Sequence, residues 1–163
     1  MIRVGVGYDV HALVPGRALK IGSVEIDSPL GLLGHSDADV LLHAITDAVL
    51  GAAGLGDIGQ LFPDTDLRHR DADSLELLSL AAAKVSAAGW VVANIDAVVV
   101  AQRPRIAPYV QQMRSRIAPV LGVASDAVGI KGKTTEHLGF TGRGEGIAAH
   151  AVALLVRPSD AVA

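Results

Sequence analysis

The sequence predicts an α+β domain in which a mixed β-sheet carries helices on one face. Strand-like segments with alternating or β-branched apolar residues open and close the chain. Segments with apolar residues at helical spacing lie between them, and this arrangement is typical of a sheet covered by a helical layer. Half of the 163 residues are apolar, which is enough for one core. We therefore expect a single domain over residues 1–163.

The first half of the chain is predicted to hold a strand, a hairpin and a helix. Residues 2–8 alternate between apolar side chains and glycine or arginine, which is the period of a strand. A short strand or hairpin is expected around Leu19–Ile26. The helix is expected over 39–53, where apolar residues recur at helical spacing until Gly54 ends it. Residues 56–72 are expected to form a polar loop.

The second half is predicted to hold two helices and three strands. Asp73 and Glu76 have the spacing of a capping box, which starts a helix that ends at Gly89. Pro108 suits the first turn of another helix. That helix is expected to be closed by Pro119 and Gly122. The predicted strands are the apolar segments 91–101, 127–134 and 147–156.

Composition excludes several classes of function. The chain has 14 basic and 17 acidic residues and a formal net charge of -3, which argues against a nucleic-acid partner. It has no cysteine, so thiolate catalysis and thiolate metal sites are excluded. No apolar run reaches the ~20 residues that span a bilayer. With no signal-like apolar core at the N-terminus, we expect no membrane partner and a cytoplasmic protein.

A metal site is predicted from a strand pair and a helical histidine. Asp9 and His11 are two residues apart at the end of the first strand, so their side chains share one face. His43 could be the third ligand, and Asp39 or Asp47, four residues away, could orient its other nitrogen. Three such ligands with an open position are typical of catalytic zinc. The alternative is a turn aspartate, a surface histidine and a solvated helix face.

Two further segments carry polar groups suited to a phosphorylated ligand. The loop 56–66 holds three carboxylates that could accept the hydroxyls of a polyol, although a solvated loop looks the same. Residues 131–136 combine lysines, hydroxyls, a glycine and Glu136, which are the parts of a phosphate cradle with a Mg²⁺ ligand. The glycine-rich stretch 139–146 around Arg143 follows, and its simpler interpretation is a hairpin turn.

Four motifs occur together and in order: GYDVH at 7–11, HSDADVLLHAITDAVLGA at 35–52, GDIGQLFPDTD at 56–66 and KTTEHLGFTGRGEGIA at 133–148. This set closely resembles the family of 2-C-methyl-D-erythritol 2,4-cyclodiphosphate synthases, over about residues 2 to 157. The resemblance implies conversion of 4-diphosphocytidyl-2-C-methyl-D-erythritol 2-phosphate to the cyclic diphosphate with release of CMP. It also implies a homotrimer, associated through the sheets, with active sites between neighbouring subunits.

The resemblance also implies roles for individual residues. Zinc would be held by Asp9, His11 and His43, and Glu136 would hold Mg²⁺ or Mn²⁺ at the substrate diphosphate. Residues matching His35 and Thr134 would lie close to the phosphoryl transfer. The substrate would contact Asp9, His11, His35, Thr134 and Glu136. It would also contact a wider set, namely Val10, Ser36, Asp57, Ile58, Gly59, Phe62, Pro63, Asp64, Thr65, Asp66, Ala101, Gln102, Arg103, Pro104, Arg105, Ile106, Ala107, Lys133, Thr135, Phe140 and Arg143.

The chain departs from the family pattern at two places. Arg105 stands where lysine is frequent, and Gly132-Lys133 stands where Ala-Thr is frequent. Arginine and lysine differ in hydrogen-bond geometry, so nucleotide contacts are the part of the resemblance most affected.

Two other functions could use the same candidate site residues. A metal-dependent phosphohydrolase would activate water with these ligands, and a binding or structural trimer would keep the fold without the chemistry.

Overall fold

The computed structural model describes residues 1–63 and 72–158. Within these residues the strands are β1 (Ile2–Pro15), β2 (Leu19–Ile21), β3 (Val24–Ile26), β4 (Leu30–Leu32), β5 (Val91–Val100), β6 (Val128–Lys133) and β7 (Gly146–Val156). The helices are α1 (Val40–Ala53), α2 (Ile58–Leu61), α3 (Ser74–Ala87), α4 (Val110–Leu121) and α5 (Gly139–Gly142). Short 3₁₀ turns at Ala107–Tyr109 and Ser125–Ala127 precede α4 and β6.

The main sheet is mixed, as the sequence predicts. Its five strands follow the order β4-β1-β7-β5-β6. β5 and β6 are parallel, whereas β1 pairs antiparallel with β4 and β7, and β7 pairs antiparallel with β5. β2 and β3 form a separate two-stranded hairpin at the position that the sequence predicts.

Helix α1 lies across one face of the sheet, and two glycines of β1 let it approach closely. A methyl group added at Gly7 would overlap the carbonyl oxygen of Ala44, and one added at Gly5 would overlap that of Ala48. The strand therefore presents backbone rather than side chains to the helix. Because side chains alternate along β1, the next two residues on this helix-facing side are Asp9 and His11.

The opposite face of the sheet is apolar and open to solvent in the single chain. The exposed fractions of Ile2, Val4 and Val6 are 67%, 62% and 68%. Tyr8 and Val152 continue this surface at 49% and 43%. The helical layer thus covers one face only, which confirms the predicted α+β arrangement.

Several element bounds differ from the sequence predictions. β1 does not end near residue 8 but continues to Pro15, because it pairs with β7 as far as Ala12 and then with β4. β4, α2 and α5 were not predicted from the sequence. Pro119 lies inside the last turn of α4 rather than closing it, and Gly122, in a left-handed conformation, ends that helix.

Asp39 links α1 to the β2–β3 hairpin. Its side chain is fully buried and accepts hydrogen bonds from the backbone N–H groups of Gly22 (2.9 Å), Ser23 (2.7 Å) and Leu42 (3.1 Å). Burial raises the pKa of Asp39 to about 6, because these amides only partly offset the loss of hydration. The hairpin turn and the start of α1 are therefore held by one carboxylate.

Among the helices of the described ranges, none combines the length and hydropathy required to cross a bilayer.

Candidate active site

Asp9, His11 and His43 converge at the interface between β1 and α1. The Oδ2 atom of Asp9 lies 2.9 Å from Nε2 of His11 and 3.0 Å from Nδ1 of His43. The two imidazole nitrogens are 3.2 Å apart. The geometry therefore brings together the three residues that the sequence predicts as a metal site, and they form a group that could hold a metal ion.

The hydrogen bonding around His11 identifies the nitrogen available to a metal. Its Nδ1 lies 2.8 Å from the carbonyl oxygen of Leu33, which can only accept, so Nδ1 carries a hydrogen. Burial alone would lower the pKa of His11, but its hydrogen bond with Asp9 and the Asp9 charge raise it. Burial alone would raise the pKa of Asp9, yet His11 and His43 lower it to about 2.

This donor set fits a divalent cation. Two imidazole nitrogens and an ionised carboxylate face a common point, and without positive charge between them their lone pairs repel. A proton or a metal ion relieves that repulsion. Nitrogen and oxygen ligands of this kind suit zinc, and three protein ligands leave a position for a substrate atom.

The outer nitrogen of His43 is not oriented by Asp39 or Asp47, contrary to the sequence prediction. Its Nε2 lies 3.0 Å from Oγ of Ser74 and 3.2 Å from Oγ of Ser36. Asp39 is instead used in the hairpin contacts described above. Asp47 accepts a hydrogen bond of 2.7 Å from the backbone N–H of Ile58 and so anchors the start of α2 beside the site. The sequence carries no local signal for the Ser74 contact, because α1 and α3 meet only in the fold.

The segment that contains His35 and Ser36 is held by Arg17. The Arg17 guanidinium donates to the carbonyl oxygens of Gly34 (3.1 Å) and Ser36 (2.9 Å). Ser36 is buried next to His43, while His35 is exposed. Sequence reasoning missed Arg17, which lies in a Gly- and Pro-rich stretch without a periodic pattern.

The loop after α1 is described only in part. Asp57 caps α2 by accepting from the backbone N–H of Gln60 at 2.8 Å, and it also accepts from the Gln60 side chain. Gly59 is exposed and Ile58 is partly buried. Phe62 is largely buried and Pro63 is exposed. The predicted contacts Asp64, Thr65 and Asp66 lie outside the described residues.

A cavity of about 200 Å³ lies beside the turn that follows β6. Gln102 ties this cavity to the turn, because its Oε1 accepts a hydrogen bond of 3.2 Å from the backbone N–H of His137. Predicted substrate contacts make up most of the lining, while Arg103 is exposed outside it. The lining residues are Ala101, Gln102, Pro104, Arg105, Ile106, Ala107, Gly132, Lys133 and Thr134.

Thr134 and Glu136 lie together in that turn. The Thr134 hydroxyl donates to Glu136 Oε1 at 3.2 Å, and the Glu136 backbone N–H donates back to the hydroxyl at 3.3 Å. Both side chains are exposed, and the φ angle of Glu136 is 52°. Thr135 is directed away, since its hydroxyl donates to the carbonyl oxygen of Leu138 and lies 3.0 Å from Oγ1 of Thr141.

The glycine-rich stretch forms α5 and a turn into β7. Phe140 is 39% exposed. Arg143 donates to Oε1 of Glu145 at 2.8 Å, and both side chains are in solvent. Neither Phe140 nor Arg143 is among the residues that line the cavity or form the metal cluster.

The metal cluster and the turn at Thr134 lie toward the same end of the sheet but on different strands. Lys133 pairs with Val100, Val100 with Ala148, and Ala148 with Val10. This register separates Val10 of β1 from Lys133 of β6 by three strand spacings, or ~14 Å. Within one chain, the metal cluster and the turn at Thr134 therefore lie on strands that are not neighbours.

The sequence matches the YgbB family over residues 2–156. It is 65% identical over 158 residues to a protein of Aromatoleum aromaticum named 2-C-methyl-D-erythritol 2,4-cyclodiphosphate synthase, covering 97% of this chain and 96% of that protein. The fold is similar to IspF of Plasmodium falciparum in a CDP complex, with a TM-score of 0.85, 34% identity and 97% of each chain covered.

A second solved structure is the bifunctional IspDF of Campylobacter jejuni, with a TM-score of 0.91 and 46% identity. The match covers 95% of this chain and 42% of that longer one, so this chain corresponds to less than half of the bifunctional protein. The family match extends over nearly the whole chain and includes all three residues of the metal cluster. On these grounds the chain belongs to the YgbB family.

Proposed function

We propose that this protein is an enzyme that converts 4-diphosphocytidyl-2-C-methyl-D-erythritol 2-phosphate to 2-C-methyl-D-erythritol 2,4-cyclodiphosphate and CMP. One observation carries the proposal: 97% of the chain matches, at 65% identity, a protein named as the synthase of that product. The converged cluster of Asp9, His11 and His43 supports it, because a metal ion held there would place positive charge beside the diphosphate of such a substrate. The step belongs to the non-mevalonate route to isoprenoid precursors.

The reaction is an intramolecular phosphoryl transfer, and its class is that of a phosphorus-oxygen lyase. An oxygen of the substrate's 2-phosphate forms a bond to the β-phosphorus, and the bond from that phosphorus to the bridging oxygen of CMP breaks. CMP keeps the bridging oxygen and its electron pair, and no water enters. The protein supplies no covalent nucleophile, so its task is to bring two anionic groups together.

Asp9, His11 and His43 would hold the zinc ion. When bound, zinc supplies a Lewis acid that withdraws charge from a phosphate oxygen. The protein's own part is orientation: the carbonyl of Leu33 fixes the His11 ring, and α1 places His43 over β1. Glu136, an exposed carboxylate beside Thr134, would hold Mg²⁺ or Mn²⁺ together with the diphosphate, which is how such hard cations are usually bound.

The residues around the cavity suit the nucleotide end of the substrate. Lys133 and Arg105 place positive charge at a mostly apolar lining, where a pyrimidine ring and phosphates could both be bound. We assign the Thr134 hydroxyl, which donates to Glu136 in the single chain, to a diphosphate oxygen in the substrate complex. We assign the methylerythritol phosphate end to the metal side, near His35, Ser36 and the Asp57–Pro63 segment, with Asp64, Thr65 and Asp66 in the continuation of that loop.

The active form is proposed to be a homotrimer with sites between subunits. The exposed apolar face of β1 and β7 is the kind of surface that subunit association buries. The ~14 Å between β1 and β6 favours a site in which one subunit provides the metal ligands and its neighbour provides the nucleotide pocket. The same proposal takes residues 1–163 as one domain that acts in the cytoplasm.

Isotope labelling tests the reaction class. The zinc-loaded protein is incubated with Mg²⁺ and the diphosphocytidyl substrate in ¹⁸O-water, and the products are analysed by mass spectrometry. Cyclisation predicts a product with no ¹⁸O, because the substrate's own phosphate is the nucleophile. A phosphohydrolase would instead release CMP and an uncyclised phosphate, one of which contains one atom of ¹⁸O from water. A protein that only binds the ligand would return the substrate unchanged.

A further inference from the structure

Behind His43, on the side away from Asp9 and His11, lies a group of polar side chains that the proposed reaction does not use. Ser74, the first residue of α3, is 1% exposed and contacts His43 Nε2 at 3.0 Å. The Ser74 hydroxyl also donates to Oδ1 of Asp37. Lys20 forms an ion pair of 3.1 Å with the other Asp37 oxygen.

Counting donors and acceptors fixes the direction of these hydrogen bonds. Asp37 accepts from the backbone N–H groups of Asp39 and Ser74 and from Lys20. An ionised carboxylate has no hydrogen to give, so the Ser74 hydroxyl hydrogen is committed to Asp37. What Ser74 offers His43 is a lone pair, and the hydrogen in that contact must belong to His43 Nε2.

The Ser36 hydroxyl also lies near His43 Nε2, and its contacts are consistent with Nε2 as the hydrogen-bond donor. Its Oγ is 3.2 Å from His43 Nε2 and accepts a hydrogen bond of 3.1 Å from the backbone N–H of Ala38. With Nε2 protonated, the unprotonated nitrogen of His43 is Nδ1. That atom faces Asp9 and His11 at the metal cluster.

We propose that Ser74, held by Asp37, is a positioning residue that keeps His43 in the tautomer with Nε2 protonated and so sets the affinity of the metal cluster for zinc. The proposal rests on the metal site of the proposed function but not on the reaction itself. Hydrogen bonds of this kind fix the ring and increase the basicity of the ligating nitrogen. Ser74 does not touch the substrate in this assignment and acts only through His43.

Zinc affinity of the variant Ser74→Ala is the first test. The substitution removes the hydroxyl, while the backbone N–H of residue 74 can still donate to Asp37. We expect zinc binding, measured by competition with a chromophoric chelator, to weaken by about 10–100-fold. The control is Thr46→Ala, which removes another buried hydroxyl of the same region, one that donates to the carbonyl of Leu42 at 2.7 Å. It should lose stability but keep wild-type zinc affinity.

The tautomer itself can be read without any substitution. A long-range ¹H–¹⁵N NMR spectrum of the zinc-loaded wild-type protein should show His43 protonated at Nε2 and metal-bound at Nδ1. Protonation of His43 at Nδ1, or wild-type zinc affinity in a folded Ser74→Ala variant, would overturn the proposed role of Ser74. Neither result would contradict the metal site itself. Failure of the wild-type protein to bind zinc would overturn the metal site as well.

Discussion

Asp39 shows how much one side chain contributes to this fold. It is fully buried and satisfies three backbone N–H groups from two different elements, the β2–β3 turn and the start of α1. The Asp73 side chain caps α3 in a similar way, but among backbone groups of the described residues this carboxylate accepts from Leu75 alone, and it is 43% exposed. The two aspartates can therefore be compared as helix caps that differ in burial and in the number of backbone N–H groups that donate to the side chain.

We predict that Asp39→Ala destabilises the protein by about 1–3 kcal/mol, because buried amides lose their acceptor without gaining water. The free energy of unfolding from urea denaturation measures the loss. Asp73→Ala should cost less, since solvent reaches the freed N–H of Leu75. Equal losses in the two variants would contradict the hairpin-linking role of Asp39.

His43 is the residue on which the metal site depends. We expect His43→Ala to lose zinc retention and cyclisation while its circular dichroism remains that of the wild type, because two ligands bind zinc far more weakly than three. Metal content per chain after dialysis is the measurement, with His137→Ala as the control that keeps its zinc. A His43→Ala protein with stoichiometric zinc would show that the ligand assignment is wrong.

The sequence predicted this cluster because each part has a local signature. Asp9 and His11 are two residues apart on a strand, and His43 lies in a strongly periodic helix. The partners of the outer His43 nitrogen could not be predicted this way. Ser74 and Asp37 are 37 residues apart along the chain and meet only through packing of α3 against α1. Asp47, at helical spacing from His43, instead holds α2.

At the scale of the elements, the contact between β1 and α1 determines the geometry of the site. The helix can lie close to the strand only because Gly5 and Gly7 have no side chains. That close approach brings His43 within hydrogen-bonding distance of Asp9. The period of β1 was visible in the sequence, but its full length was not, because the pairing with β4 that extends it to Pro15 is set by distant residues.

We predict that Gly7→Ala destabilises the protein by about 1–3 kcal/mol and weakens zinc binding. The added Cβ would lie 2.8 Å from the Ala48 backbone nitrogen and would overlap the Ala44 carbonyl, so α1 must move away from β1. Gly51→Ala in α1 is the control. The added Cβ meets nothing within 4 Å, and the free energy of unfolding of this variant should rise by about 0.5–1 kcal/mol. Thermal unfolding and chelator competition measure both effects, and unchanged zinc affinity in a destabilised Gly7→Ala would disprove the link.

At the scale of the whole molecule, the exposed apolar sheet face and the separation of β1 from β6 both support the proposed homotrimer. A sheet with helices on one face leaves its other face uncovered, and the single chain exposes Val4 and Val6 on that face. Sequence alone could not say that β1 and β6, the strands that lead to the metal cluster and to Glu136, would be ~14 Å apart, because that separation follows from strand order and register.

Hybrid trimers test the shared site. His43→Ala and Lys133→Glu chains, each inactive alone, are co-expressed with different tags and purified through both. A cyclic trimer with both chain types has one complete interface in three, so we predict about a third of wild-type activity. The matched control combines His43→Ala chains with chains that carry both substitutions, and it should stay inactive. An inactive hybrid of the two single variants would place each site within one chain.

The central claim, cyclisation by internal phosphate attack, is tested most directly by ³¹P NMR of the reaction mixture. The substrate has two mutually coupled diphosphate signals and one uncoupled phosphate signal. The account predicts that the zinc- and magnesium-loaded protein replaces them with two new coupled signals from the cyclic diphosphate and one uncoupled signal from CMP. A mixture that contains only uncoupled phosphate signals would show hydrolysis and would contradict the account.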